Sequence, residues 1–66
     1  MKATYRIHEL HKHDDGSTVL ETGIQSHAEM LRQGRHHSAK RDGVRIIAKR
    51  ECDNECVAWF ENGEEV

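Results

Sequence analysis

Histidine and cysteine are the residue types in this chain best able to bind a metal ion or act as nucleophiles. Cys52 and Cys56 are separated by three residues, and five of the six histidines fall in two groups. Structural zinc sites commonly join a short cysteine pair to two histidines about three to five residues apart. The cysteine spacing fits this pattern only in part, and neither histidine group has the usual arrangement. We therefore expect no bound metal and keep a zinc-stabilised interaction domain as the third hypothesis. The two groups are His8, His11 and His13, and His36 and His37.

A cysteine beside a histidine can act as a nucleophile, so the same residues raise the question of catalysis. The chain has no nucleophile elbow, no glycine loop for phosphate and no paired-carboxylate motif. A chain of 66 residues also has little room for a concave pocket of the usual size. We therefore expect no catalytic residues, no cofactor and no enzymatic activity.

The charged residues are segregated along the sequence, although the net charge is only −2. Residues 30–50 contain seven Lys or Arg and one acid, whereas residues 51–66 contain six acids and no base. Such a division indicates either two solvated surfaces that pair across a sheet or a site for a charged partner. Together with Trp59 and Phe60, the basic segment 32–50 predicts the alternative function, a small nucleic-acid-binding module. The negative net charge weakens binding to phosphates, however.

The length and composition favour one small domain that spans residues 1–66. No apolar run approaches the roughly 18 residues of a membrane-spanning helix. Arg6, His8 and Glu9 interrupt any apolar core of a signal peptide. We therefore expect a cytoplasmic protein in which Cys52 and Cys56 are reduced thiols.

An alternation of apolar and polar residues predicts four strands and a short fifth strand. These strands span residues 2–10, 17–24, 44–49, 57–60 and 64–66. The polar turn Asp14-Asp15-Gly16 joins the first two as an antiparallel hairpin. Asn62-Gly63 closes the last hairpin with the dipeptide best suited to a type I′ turn, in which both central residues need a positive φ.

The same alternation assigns side chains to the two faces of the sheet. In the second strand we expect Val19 and Glu21 on one face. The other face should carry Leu20, Thr22 and Ile24. One helix can cover only one face, so the other face must carry apolar side chains in the open, which marks a partner or self-association surface. The residues concerned are Val19, Ile47 and either Trp59 or Phe60.

One helix is predicted between the second and third strands. Ser26 is the expected N-cap, and Glu29 completes an S-x-x-E capping box. Gly34 costs about 1 kcal/mol of helix propensity relative to alanine, so the helix either stops there or continues to about Lys40. Met30 lies off the expected inward face, which consists of Ala28, Leu31, Arg35, Ser38 and Ala39. The prediction is an α+β fold, with an antiparallel sheet of four or five strands (β-β-α-β-β) packed on one helix.

Two segments of the chain resemble those of a known family of small phage-encoded inhibitors. They are Met1-Lys2-Ala3-x-Tyr5-x-Ile7-x-Glu9 and Ala58-Trp59-x-Glu61-Asn62-Gly63, with Val44-Arg45-Ile46 in the matching penultimate strand. Together they span nearly the whole chain and make it similar to the ninth family of type I-F anti-CRISPR proteins. The chain departs from that family where Glu64 and Glu65 replace basic residues after the last turn.

The resemblance implies a curved antiparallel sheet packed on one helix. It also implies a phage protein that acts in the host bacterial cell, binds the RNA-guided surveillance complex and keeps target DNA from pairing with the guide. Subunits of this bacterial CRISPR-Cas effector complex are therefore the expected partners, with nucleic acid as the alternative.

Two sets of residues are candidates for contact with such a partner. Arginine and aromatic residues are the usual anchors of protein interfaces, whereas acidic residues suit a lysine-rich channel that normally holds DNA or RNA. The sequence leaves open which set contacts the partner, and whether the chain forms a dimer. The basic set consists of Arg32, Arg35, Lys40 and Arg41, together with Tyr5. The acidic set consists of Glu61, Glu64 and Glu65.

Overall fold

The computed structural model describes residues 3–66, which form one antiparallel sheet and one helix. Along the chain the elements are β1 (Tyr5–Leu10), β2 (Ser17–Ile24), α1 (His27–Ala39), β3 (Ile46–Arg50), β4 (Glu55–Glu61) and β5 (Glu64–Glu65). In the sheet the strands follow the order β2-β1-β3-β4-β5, and each neighbouring pair is antiparallel. The predicted α+β fold is confirmed, including its short fifth strand. Within residues 3–66, no helix has the length and apolar character needed to cross a membrane.

The first predicted strand extended to Lys2, and the resemblance included Met1-Lys2. Both of these residues lie outside the described part of the chain. The strand itself begins at Tyr5.

The predicted turns have the expected local geometry. Asn62 and Gly63 have φ angles of 53° and 86°, so both satisfy the requirement of a type I′ turn between β4 and β5. In the turn between β1 and β2, the Asp14 carboxylate accepts a hydrogen bond from the Gly16 amide at 2.7 Å. These short polar segments fix the two hairpins because they satisfy the backbone locally.

Ser26 begins the helix as predicted. Its hydroxyl oxygen accepts a hydrogen bond from the Glu29 amide at 3.1 Å, which satisfies one of the free donors at the helix start. The Glu29 carboxylate accepts hydrogen bonds on the helix surface from Arg32 at 2.9 Å and Gln33 at 3.1 Å. The helix then continues through Gly34 to Ala39.

The inward face of α1 is formed by Met30, Gly34 and Ser38, which are buried. These residues are four positions apart, so they lie along one line of the helix surface. The prediction that Ser38 faces inward is correct. The prediction that Met30 lies off the inward face is wrong, because Met30 is fully buried. The predicted inward face is also wrong for three residues that are exposed, namely Ala28, Arg35 and Ala39.

Gly34 allows α1 to approach the sheet closely at Phe60. A Cβ atom at position 34 would overlap the Phe60 ring, so a larger residue requires the helix or the ring to move. The glycine that weakens the helix in the sequence is therefore needed for packing. The core around this contact consists of Ile7, Ile24, Met30, Ile46, Ala48, Ala58 and Phe60.

An irregularity in the pairing of β1 and β2 changes the predicted faces of β2. Val19 lies opposite His8, but Glu21 lies opposite Ile7, so β2 contains one extra residue between these pairs. Ile7 faces α1 and His8 faces away from it, because side chains alternate along a strand. Val19 and Glu21 therefore lie on opposite faces. The prediction that they share a face is wrong, because a bulge breaks the alternation on which it depends.

Candidate functional site

One face of the sheet is covered by α1, and within the described residues no element covers the other. The core residues Ile7, Ile46 and Phe60 lie on the covered side, so the neighbours of these residues along each strand lie on the uncovered side. We call the uncovered side the open face. It carries Arg6, His8 and Leu10 from β1, Ile47 and Lys49 from β3, and Trp59 and Glu61 from β4.

A single row of residues crosses the open face from one edge of the sheet to the other. Val19 lies opposite His8 between β2 and β1, and His8 lies opposite Ile47 between β1 and β3. Trp59 on β4 lies opposite Ile47, and its carbonyl accepts a hydrogen bond from the Val66 amide at 2.9 Å. We call these five residues the central row. Neighbouring strands are about 4.8 Å apart, so the row is about 19 Å long.

The central row contains the large hydrophobic residues that are exposed within residues 3–66. Val19 is 47% exposed, Trp59 is 40% exposed and Val66 is 63% exposed. His8 and Ile47, in the middle of the row, are only 6% and 4% exposed, so other side chains of the open face cover them. Exposed apolar residues that gather in one place mark an interaction surface. The predicted exposure is correct for Val19 and for Trp59, which rather than Phe60 is the aromatic residue concerned, but it is wrong for Ile47, which the fold buries.

His8 occupies the centre of the row in its neutral form at neutral pH. Burial lowers the pKa of its imidazole, and the charges of Lys49 and Arg6 lower it further. Its Nδ1 lies 3.2 Å from the Ser17 hydroxyl. Its Nε2 is buried and has no hydrogen-bond partner in the part of the chain that the structure describes. The middle of the row is therefore buried and uncharged.

Two positive side chains lie beside the central row. Arg6 on β1 and Lys49 on β3 are directly opposite one another, and we call them the Arg6–Lys49 pair. Arg6 donates a hydrogen bond through Nη2 to the Asn54 side chain. Among residues 3–66, neither base has a carboxylate within ion-pair distance. Like charges that face each other across neighbouring strands repel, so this pair is unfavourable for the free domain.

On the opposite side of the central row, the positive charge is offset by acids. Arg45 Nη2 lies 3.2 Å from the Glu61 carboxylate, and Glu64 lies opposite Glu61 across the last hairpin. Leu10, which is uncharged, donates its amide hydrogen to the Arg45 carbonyl at 3.0 Å. The unbalanced positive charge of the open face is thus concentrated at the Arg6–Lys49 pair.

The basic residues predicted on the helix are largely paired within the chain. Arg32 donates a hydrogen bond to Glu29, and this bond lowers the pKa of the Glu29 carboxyl. Arg35 Nη2 lies 3.9 Å from the Glu65 carboxylate. Both arginines are on the outer surface of α1, and Lys40 is exposed at its C-cap. This surface therefore has less free positive charge than the sequence suggests.

Arg41 holds the end of α1 against the sheet. Its Nε donates a hydrogen bond to Glu9 at 2.8 Å, and its Nη1 donates to the His37 carbonyl at 3.1 Å. Nη1 also lies 3.3 Å from His37 Nδ1, which must accept because arginine only donates. His37 Nε2 lies 3.4 Å from the Glu21 carboxylate, within ion-pair distance but without a hydrogen bond among the described residues. Arg41 therefore stabilises the fold and has little capacity left for a partner.

Tyr5 and the acidic set lie in different parts of the surface. Tyr5 is half-buried against the core, and its ring meets the edge of the His27 ring with centroids 6.0 Å apart. Glu61 is paired with Arg45, while Glu64 and Glu65 are exposed at the β5 edge. The structure therefore does not bring the eight predicted residues together as one patch.

The basic and acidic segments of the sequence do pair with each other in space. Beyond the contacts of Arg35 and Arg45, the Arg50 side chain donates hydrogen bonds to Asp53 and Glu55. The Arg50 guanidinium holds the pKa of Asp53 at about 2. The charge segregation thus matches the first of its two predicted explanations, paired surfaces.

Cysteine and histidine residues do not assemble a metal centre in the described part of the chain. No three His, Cys, Asp or Glu side chains there lie close enough together to hold an ion. Cys52 is exposed and Cys56 is half-buried, and both are free thiols. The His11 ring lies 3.0 Å from Asp14 and 2.7 Å from Thr18, so it stabilises the turn between β1 and β2. A shallow depression of about 400 Å³ borders this turn.

Comparisons with known protein families, with curated proteins and with solved structures find no match to the chain. The candidate site is therefore defined by geometry, as the central row together with the Arg6–Lys49 pair. Sequence alternation identified Val19 as exposed and left Trp59 and Phe60 as alternatives. It missed the Arg6–Lys49 pair, because only the register of β1 and β3 brings these two residues together.

Proposed function

We propose that this protein is a non-enzymatic inhibitor from a phage or mobile element that binds a bacterial RNA-guided CRISPR-Cas surveillance complex and blocks its DNA targeting. The observation that supports binding is the central row, which gathers Val19, Trp59 and Val66 on one uncovered face. The resemblance of the two end segments to type I-F inhibitors supports the choice of complex. In this proposal the open face makes the contact, in the cytoplasm of the bacterial host.

The size of the domain suits an inhibitor that acts by covering a surface. A stable protein interface buries about 800 Å² on each partner. The accessible surface of the chain is 4322 Å², so such an interface would use about a fifth of it. Tryptophan and arginine supply most of the binding energy at many interfaces. We therefore expect Trp59 and Arg6 to be the main anchors.

A small nucleic-acid-binding module is the second candidate function, because the Arg6–Lys49 pair and Trp59 share one sheet face. Two features favour a protein partner instead. Trp59 is flanked in the row by the aliphatic residues Ile47 and Val66, whereas nucleic-acid platforms stack successive bases on aromatic rings. The net charge of −2 also opposes binding to phosphates.

The proposal predicts that the purified protein prevents a type I-F surveillance complex from binding its target duplex. The complex would be incubated with increasing amounts of the protein before labelled target DNA is added, and bound DNA would be measured by gel shift. Because the protein acts by occupancy, we expect inhibition to saturate at a fixed molar ratio of protein to complex. Undiminished DNA binding in a large excess of folded protein would contradict the proposal.

Two further experiments separate the nucleic-acid function and the contact surfaces predicted from sequence from the proposal. The protein alone would be titrated with labelled duplex and single-stranded DNA at two salt concentrations, and affinity that rises as salt falls would favour the nucleic-acid function. Two double variants test the sets predicted from sequence: Arg32→Glu with Arg35→Glu, and Glu64→Lys with Glu65→Lys. We expect both to retain inhibition. Loss of inhibition in the folded arginine variant would move the contact surface from the open face to α1, and loss in the folded glutamate variant would move its centre to the β5 edge.

A further inference from the structure

The Arg6–Lys49 pair differs from the other arginine sites of the fold. Its two bases face each other without a carboxylate among the described residues, and their charges add to the effect of burial in lowering the pKa of His8. Five other arginines lie within ion-pair distance of a carboxylate of the chain, namely Arg32, Arg35, Arg41, Arg45 and Arg50. Unfavourable contacts that a fold retains, such as like charges side by side, are expected where residues serve binding rather than stability.

We propose that the Arg6–Lys49 pair receives a carboxylate from an acidic, apolar segment of the partner protein, and that apolar side chains of this segment contact the ends of the central row. This assignment rests on the proposed function and names the chemistry of the partner surface. A carboxylate between the two bases accepts hydrogen bonds from both and removes their repulsion. Val19 and Trp59 are about 14 Å apart, which is the spacing of residues i and i+4 along an extended strand.

Charge favours this occupant over the two others that could cover the face. A second copy of the chain would bring another Arg6–Lys49 pair to the interface. Of its acids on the open face, Glu61 is already paired with Arg45, and Glu64 lies on the edge strand β5. A phosphate of a nucleic acid matches the pair but not the aliphatic residues of the row. An acidic protein segment with apolar side chains matches both the charge and the row.

Lys49→Gln tests the assignment, because it removes the repulsion in the free domain and weakens the contact with an acidic partner. We expect its melting temperature at low salt to equal or exceed that of the unchanged protein. We expect its affinity for a random copolymer of glutamate and tyrosine to fall about tenfold. Binding would be followed by the fluorescence of Trp59, the single tryptophan of the chain. The matched control is Lys40→Gln, which makes the same charge change on the exposed end of α1 and should alter affinity by less than about threefold.

Three parallel measurements decide among the occupants. A copolymer of lysine and tyrosine should bind more weakly than the acidic copolymer, and equal binding would overturn the assignment. Tighter binding of oligothymidylate would overturn it in favour of nucleic acid. A dimer in sedimentation experiments that Lys49→Gln strengthens would overturn it in favour of a second copy.

The outcomes also separate this inference from the proposed function. If Lys49→Gln lowers both the melting temperature and the affinity, Lys49 has a structural role and the inference is overturned. If the protein prefers the acidic copolymer and this preference needs Lys49, the inference is supported. That support would stand even if the surveillance complex were not inhibited, in which case only the choice of complex would fail.

Discussion

Replacing Phe60 with alanine is expected to leave a large fraction of the protein unfolded at room temperature. The ring is fully buried in the core beside Gly34. Truncation of a core phenylalanine to alanine removes about 3–5 kcal/mol from the free energy of unfolding. A domain of 66 residues has a free energy of unfolding of only roughly 3–10 kcal/mol. Urea unfolding followed by circular dichroism would measure the difference.

Trp59→Ala is the matched control for this loss. Trp59 precedes Phe60 on the same strand, points to the opposite face and is 40% exposed. We expect its truncation to lower the free energy of unfolding by about 1–2 kcal/mol, because it loses a cross-strand contact but leaves no core cavity. Equal losses in the two variants would mean that the two faces of β4 are wrongly assigned.

The same Trp59→Ala variant is expected to bind the surveillance complex at least about 30-fold more weakly. A tryptophan anchor at the centre of an interface contributes about 2 kcal/mol or more, which corresponds to that change in the dissociation constant. Trp59 is the largest exposed apolar side chain of the central row, so no neighbour can replace its contact area. Binding would be measured with the complex immobilised and the folded variant in solution.

Arg32→Ala controls for a general effect of surface truncation. Arg32 is exposed on α1, which packs on the face of the sheet opposite to the open face, and it is paired with Glu29. We expect its affinity to stay within about threefold of the unchanged protein. The binding account fails if Trp59→Ala keeps full affinity, or if Arg32→Ala loses as much as Trp59→Ala does.

Features of the fold that depend on neighbouring residues could be predicted from the sequence. The Ser26 cap and the Asn62-Gly63 turn are determined within a few residues, and both have the predicted geometry. The inward face of α1 depends instead on contact with the sheet. Met30 and Gly34 face inward because the Phe60 ring packs beside the glycine. The periodicity of the helix sequence contains no information about this contact.

The candidate site was predicted only in part, for related reasons. Alternation in the strands identified Val19 and left Trp59 and Phe60 as alternatives. The bulge in β2 separated Val19 from Glu21, and bulges have no signal in this pattern. The basic and acidic sets were predicted to be partner-contact surfaces because the residues of each set cluster in the sequence. In the fold, most of them are neutralised by partners that are distant in the sequence, as Arg41 is by Glu9.

Oxidative footprinting of the protein, free and bound to a type I-F surveillance complex, tests most directly whether the open face is the binding surface. Hydroxyl radicals would label exposed side chains, and mass spectrometry would measure the rate of labelling at each residue. We predict that Trp59 becomes strongly protected in the complex, whereas His36, which is exposed on α1, keeps its labelling rate. Protection of His36 with unchanged labelling of Trp59 would contradict the account, because it would place the partner on the helix instead of the open face.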